Sequence, residues 1–227
     1  MINVYDFIKS INFDNDLILY YIEINDNFKN IKNQILSEYC NINDLTYINN
    51  FLNIQDQLCH LGSIVLQKYF VVLNQSNIII NKKDIIIKKK DIIIKKDRYQ
   101  KPYIDNINFY YNISHDKNIV MGVFYNKPIG IDTMEDNKVT YERIESINHI
   151  FFESEKHINY ITLWTILESY LKAIGTGFIN FENRKFIIKQ IINNNSFEII
   201  NGKENTILFK QLDINKKLYH VCITILN

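Results

Sequence analysis

An α+β fold of two lobes, each a small, mainly antiparallel sheet with packed helices, is the fold class this chain predicts. Three observations carry the expectation. Segments with helical and with strand periodicity occur in similar measure in both halves. The last four strand candidates follow one another with the alternation of an antiparallel sheet. The chain has 227 residues, 47% hydrophobic and 22% charged, enough for one large core or two of about 100 residues each.

Leu17–Ile24 reads as a strand. Runs over Phe28–Tyr39 and Gln55–Phe70 read as helices, the second with Leu58, Leu61, Val65 and Leu66 on one face, and Val71–Leu73 is expected to close it. Next, the seven residues Lys83–Lys89 are repeated at once as Lys90–Lys96. Three consecutive Ile would wrap too much of a helix, and β-branched triplets favour extended chain, so Ile92–Ile94 is expected to be a strand. The first copy extends that strand or is a loop insertion. Between Lys82 and Lys101 lie nine Lys or Arg and three Asp. A solvated low-complexity segment and a basic lip over an anionic ligand both fit this run. No aromatic residues interleave the duplicated stretch 83–96 and the whole chain carries only +1, so no nucleic-acid partner is expected.

Asn108–Ile113 and Ile119–Phe124 are strand candidates joined by a turn over Ser114–Asn118, and Ile129–Thr133 is a third. Tyr141–Phe152 and Ser154–Ile174 read as helices, the latter ended by Gly175 and Gly177. Phe186–Ile192, Phe197–Ile200, Thr206–Lys210 and Leu218–Leu226 are the closing strands. The expected organisation is an N-terminal lobe over 1–125 and a C-terminal lobe over 126–227, with a cleft near Tyr125–Pro128. Abundant Asn and Lys with Arg only at 98, 143 and 184 suggest compositional drift, leaving many exposed Asn without a role.

Cys40, Cys59 and Cys222 form no CxxC pair and read as reduced, buried thiols. The first 24 residues lack a basic stretch followed by an apolar one, and no run approaches the ~20 apolar residues of a membrane span. A soluble, cytoplasmic protein without a membrane partner is expected.

The chemistry concentrates in two stretches. Gly130-Ile131-Asp132-Thr133-Met134 ends a strand-like run in a carboxylate. Trp164 to Gly177 places Glu168 and Lys172 four apart on a helix, hence on one face. Taken singly, an i,i+4 Glu–Lys pair is usually a surface pair, Asp132 a turn residue, His115 a solvated loop histidine and Trp164 core packing. His149 and His157 have no third ligand in view and read as structural. Taken together, a carboxylate at a strand end, a second on a helix and a lysine one turn on suit a hard cation with a polyphosphate.

Asn112-Ile113-Ser114-His115, Gly130-Ile131-Asp132 and Trp164-x3-Glu168-Ser169-x2-Lys172-Ala173-Ile174-Gly175 occur in order. Together they resemble the 4′-phosphopantetheinyl transferase superfamily, in its longer, pseudo-dimeric, surfactin-synthetase-activating type. The eukaryotic aminoadipate-semialdehyde-dehydrogenase phosphopantetheinyl transferase is similar too. Lys101-Pro102 after Tyr99 matches the family's Gly-Lys-Pro element, and Phe151-Phe152-x2-Glu155 its Phe-Phe-x3-Glu helix start, one residue shorter. The matches run from about residue 91 to 178.

The resemblance implies pseudo-symmetric lobes in a monomer, with the active site in the cleft between them. It implies transfer of phosphopantetheine from coenzyme A to a serine of an acyl or peptidyl carrier protein, apo to holo, releasing adenosine 3′,5′-bisphosphate. Asp132 and Glu168 would hold Mg²⁺, Glu168 would also be general base, and Lys172 would contact the phosphates and stabilise the leaving group. Ser114 and His115 would hold the 3′-phosphate, and Lys101, beside Pro102, another phosphate.

Four positions depart from the family pattern. Met134 replaces a third carboxylate on Asp132's side of the strand, as it does in the eukaryotic type. Leu167 replaces a Lys, and Gln100 the Gly before Lys-Pro. The stretches Asn49–Asn53 and Gln55–Leu58 lack the cations expected for the nucleotide phosphates; His60 or the Lys88–Lys90 run would have to compensate. That gap keeps a second reading open, a non-catalytic relative that binds coenzyme A or a carrier domain.

Overall fold

A computed structural model describes residues 3–78, 91–177, 185–191 and 196–227. The first copy of the repeat, Lys90 and Ile192 lie outside them, as does the Lys88–Lys90 run. The chain divides into two compact units, Met1–Asn108 with Lys117–Phe124, and Phe109–Asp116 with Tyr125–Asn227. The border expected at residue 125 leaves 109–116 with the first half, whereas this segment falls in the second unit.

The first unit opens with β1 (Ile8–Asp14) and β2 (Leu17–Glu23), antiparallel to each other. β1 is not evident from the sequence because Phe13 is its one buried side chain, which leaves no alternating pattern to read. α1 (Asp26–Asn30) and α2 (Lys32–Tyr39) replace the single helix expected over 28–39. α3 (Ile42–Asn49), also unforeseen, starts on a reciprocal cap: Asp44 N–H donates to Asn41 Oδ1 and Asn41 N–H to Asp44 Oδ2, both at 3.0 Å. α4 (Ile54–Ile78) continues past the expected end at 71–73; Phe70 and Val71 are buried there. Its Gly62 rests on Ile24 and Val120, where a Cβ would come within 3.2 Å of both side chains.

Lys68 of α4 is fully buried. Its ammonium donates to Tyr39 O (2.6 Å) and Asp44 Oδ2 (2.7 Å), tying the end of α2 and the start of α3 to the central helix. Removing one partner would strand a buried charge.

β3 (Ile94–Lys96) and β4 (Pro102–Ile104) form a short antiparallel hairpin. Strand character thus begins two residues later than expected. In the connecting turn Asp97 accepts from the N–H groups of Tyr99 (2.8 Å) and Lys101 (2.9 Å), and Gln100 has φ +66°. That is the region glycine occupies without strain, so Gln100 keeps the turn at a conformational cost that Asp97 offsets. β5 (Tyr110–Asp116) belongs to the second unit, and β6 (Ile119–Tyr125) pairs with β2, so that β2 lies between β1 and β6. Ser114 and His115 therefore lie in a strand, not in the expected turn, which tightens to Lys117 and Asn118 with Lys117 at φ +49°.

The second unit is built on β7 (Ile129–Glu135), β10 (Asn205–Ile214) and β11 (Lys217–Leu226), antiparallel in the order β10-β11-β7. β10 and β11 are longer than expected, ten residues each. Asn215 and Lys216 both take positive φ (53° and 64°), the two-residue turn whose twist matches that of the strands. β8 (Ile187–Ile191) and β9 (Ser196–Ile200) pair antiparallel.

α5 (Lys138–Glu145) is capped by Asn137 and stops short of the helix expected over 141–152. α6 (Tyr160–Ile174) begins six residues later than expected. Upstream, Glu153–Glu155 make one 3-10 turn. The carboxylate of Glu155, fully buried, accepts from Phe152 N–H (2.9 Å) and from Ile188 N–H on β8 (2.7 Å). Asn159 caps α6, and Gly175 ends it at φ 82°.

α6 lies directly on β7. A Cβ at Gly130 would land on the carbonyl oxygen of Ser169 and the amide of Ala173. Gly130→Ala is therefore expected to cost about 3 kcal/mol or more, since backbone must move to admit the methyl group; urea unfolding checks it. In the β3–β4 turn the sign reverses. Gln100→Gly is expected to raise stability by up to about 1 kcal/mol in the same assay, and Gln100→Val to lower it.

Candidate active site

The edge of β7 is closed by side chains. Asn112, Ser114 and Asp116, alternate residues on one face of β5, accept from the N–H groups of Ile131 (2.9 Å), Thr133 (3.3 Å) and Glu135 (2.7 Å). This ladder holds β7 on one side while β11 pairs with it on the other, Asp132 opposite Cys222. α6 is pinned to β11 through Ser169 Oγ, 2.8 Å from Thr224 Oγ1, and Thr162 Oγ1, 2.9 Å from His220 Nδ1.

Asp132, Glu168 and Lys172 consequently meet. Lys172 Nζ donates to Asp132 Oδ1 at 2.6 Å and lies 3.8 Å from Glu168 Oε2. Ser114 Oγ donates to the same Asp132 oxygen at 2.8 Å. The other oxygen, Asp132 Oδ2, is buried and has no hydrogen-bond partner. Burial pushes Glu168 up to about 7; Lys172 opposes the shift and Asp132 reinforces it. Burial works against the Lys172 charge, but the two carboxylates outweigh it and hold this ammonium above the ordinary lysine range.

The donor set fits a small, hard cation. Mg²⁺ binds oxygen, keeps several waters and needs one or two carboxylates beside substrate phosphates. A bare, buried carboxylate oxygen is the feature such an ion would satisfy. Among the described residues no group of three or more His, Cys, Asp or Glu is arranged to hold a metal. Met134, on Asp132's side of β7, is buried in the apolar cluster that also contains Leu167, Leu163 and Phe151. Trp164 packs partly buried against that cluster.

His115 is exposed and points to the face of β5 opposite Ser114, so these neighbours do not converge on one point. Lys101 and Pro102 are half-buried in the first unit; burial pulls the Lys101 ammonium below its usual range, against Asp97. His60 stacks on Phe51 with ring centroids 3.9 Å apart. His149 and His157 are exposed. Sequence reasoning missed two cations beside the cation-poor stretch: Lys32 Nζ donates to Gln57 Oε1 (3.1 Å), and Lys96 Nζ sits 3.8 Å over the Tyr47 ring. No sequence signal pairs them, because both arrive from distant segments.

The three cysteines are buried and form no disulfide, and no helix among the described residues is long and apolar enough to cross a membrane.

No protein-family model matches the chain. The chain is similar to the 4′-phosphopantetheinyl transferase gsp of Aneurinibacillus migulanus, with 28% identity over 177 residues. That stretch covers 74% of this chain and 63% of that protein. The chain thus spans less than two thirds of the curated relative it matches.

The Glu168 shift has a measurable consequence in chelator-treated protein. The folded form holds a proton that the unfolded chain releases between pH 4.5, the ordinary value, and about 7. This stabilising contribution is complete below 4.5 and is lost as pH rises through 7. Glu168→Gln stays neutral throughout, so its stability relative to wild type should rise over that window by up to about 3 kcal/mol. Denaturant titrations at pH 4.5 and 8 measure it.

Proposed function

We propose that this chain is a Mg²⁺-dependent 4′-phosphopantetheinyl transferase that converts an apo carrier protein to its holo form. One observation carries the reading: a single ammonium, that of Lys172, contacts carboxylates delivered by two separate elements, while Asp132 Oδ2 stays buried and bare. The motif resemblance and the likeness to a named transferase support it.

In this reading Glu168 accepts the proton of the carrier serine, a task for which a carboxyl poised near neutrality is well matched. The serine oxygen forms a bond to the phosphorus that bears the pantetheine arm. The bond from that phosphorus to the bridging oxygen breaks, and adenosine 3′,5′-bisphosphate leaves with the electron pair. Lys172, held between the carboxylates, stabilises the negative charge growing on the departing phosphate. Asp132 and Glu168 would hold the magnesium ion, which neutralises pyrophosphate charge when bound.

A specific observation also favours the second reading, a non-catalytic relative binding coenzyme A or a carrier domain. The stretches Asn49–Asn53 and Gln55–Leu58 contain no cation, and Lys68 further along α4 is committed to Asp44.

Intact-mass measurement of an apo carrier protein incubated with this chain, coenzyme A and Mg²⁺ separates the two. A gain of one phosphopantetheine arm is expected; tight binding without a mass gain would leave the non-catalytic relative. Glu168→Gln should slow transfer about 100- to 10,000-fold, and Lys172→Ala about 100- to 1,000-fold, with circular dichroism unchanged. Wild-type rates in either variant would refute the assigned roles.

A further inference from the structure

The β5 ladder has three rungs, and the middle one is chemically different. Asn112 Oδ1 and Asp116 Oδ2 act only as acceptors toward β7. A hydroxyl offers one donor and two acceptor sites. At Ser114 all three are engaged: Oγ accepts from Thr133 N–H (3.3 Å) and from Lys172 Nζ (3.3 Å), and donates to Asp132 Oδ1 (2.8 Å). A side chain that joins a backbone N–H to a carboxylate must both accept and donate, which excludes an ionised Asp at this rung.

The consequence falls on Asp132. Its Oδ1 takes a hydroxyl and an ammonium, while Oδ2 takes nothing although it is buried. We propose that Ser114 is a positioning residue that commits Oδ1 to the protein, fixes the carboxylate plane and turns Oδ2 toward the cation. The inference rests on the metal reading above and assigns Ser114 to the carboxylate, not to a phosphate of coenzyme A. In this arrangement the only donor on Ser114 is spent on Asp132, so its hydroxyl has no hydrogen left for an anion. Partners one shell out from a metal ligand typically govern metal affinity by 10- to 100-fold.

The test measures Mn²⁺ binding to the full chain without coenzyme A, by loss of the free-ion electron paramagnetic resonance signal. Ser114→Ala should weaken Mn²⁺ binding about 10- to 100-fold, and Ser114→Thr, which keeps the hydroxyl, should restore most of it. Asp116→Ala removes a neighbouring rung without touching Asp132 and should leave Mn²⁺ affinity unchanged, which separates positioning from mere ladder integrity. Coenzyme A binding in chelator should be equal in wild type and Ser114→Ala. Should Ser114→Ala unfold at assay temperature, Ser114→Cys, with its weak donor, takes its place.

Three outcomes would overturn the proposal. One is wild-type Mn²⁺ affinity in Ser114→Ala. Another is loss of coenzyme A affinity in that variant with Mn²⁺ binding intact, which would return the hydroxyl to a phosphate. The third is equal weakening by Asp116→Ala. A wild-type chain that takes up no Mn²⁺ would remove the metal reading itself along with the proposal, and is told apart by the wild-type titration alone.

Discussion

Helix α6 can reach Asp132 only because residue 130 has no side chain. A methyl group there would meet the backbone of Ser169 and Ala173, and the helix would have to stand further off the strand. Lys172 would then lose its 2.6 Å contact with Asp132. The buried hydroxyls of Ser169 and Thr162 hold the same seam at two points along the helix. Close packing thus comes first, and the charge cluster follows from it.

The cluster itself is unusual for its setting. Glu168, Asp132 and Lys172 have side chains only 20%, 7% and 29% exposed, a situation in which unpaired charges are costly. The lysine answers both acids at once, and the strained balance shows as a carboxyl with a raised proton affinity and one oxygen left without a partner. Such perturbed groups are more frequent where chemistry is done than in scaffolding.

Much of this was legible in advance. Asp132, Glu168 and Lys172 follow from two short strings, although Asp132 lies in the middle of β7 and not at the expected strand end, because the strand runs on to Glu135. Most elements of the second half were also recognisable by period. What escaped has identifiable causes. β1 buries almost nothing, α3 is short and is announced by its cap and not by its apolar face, and the starts of α5 and α6 are set by Asn137 and Asn159. Ser114 was misread because a polar residue next to His115 suggests a loop, whereas every second residue of β5 serves a neighbouring strand. The abundant asparagines, taken as drift, cap α1, α3, α5 and α6 and occupy left-handed positions at Asn106, Asn201 and Asn215.

This reliance on asparagine bears on chemical ageing. Asparagine is among the thermolabile residues, because its amide hydrolyses on prolonged heating. At a helix start the resulting aspartate caps as well as its parent and adds a favourable charge at the positive end of the dipole. Conversion of Asn25, Asn41, Asn137 or Asn159 to aspartate would therefore keep each cap. Asn112 differs: it is buried beside β7, and hydrolysis there would place a new negative charge two residues from Ser114, in the interior of the unit.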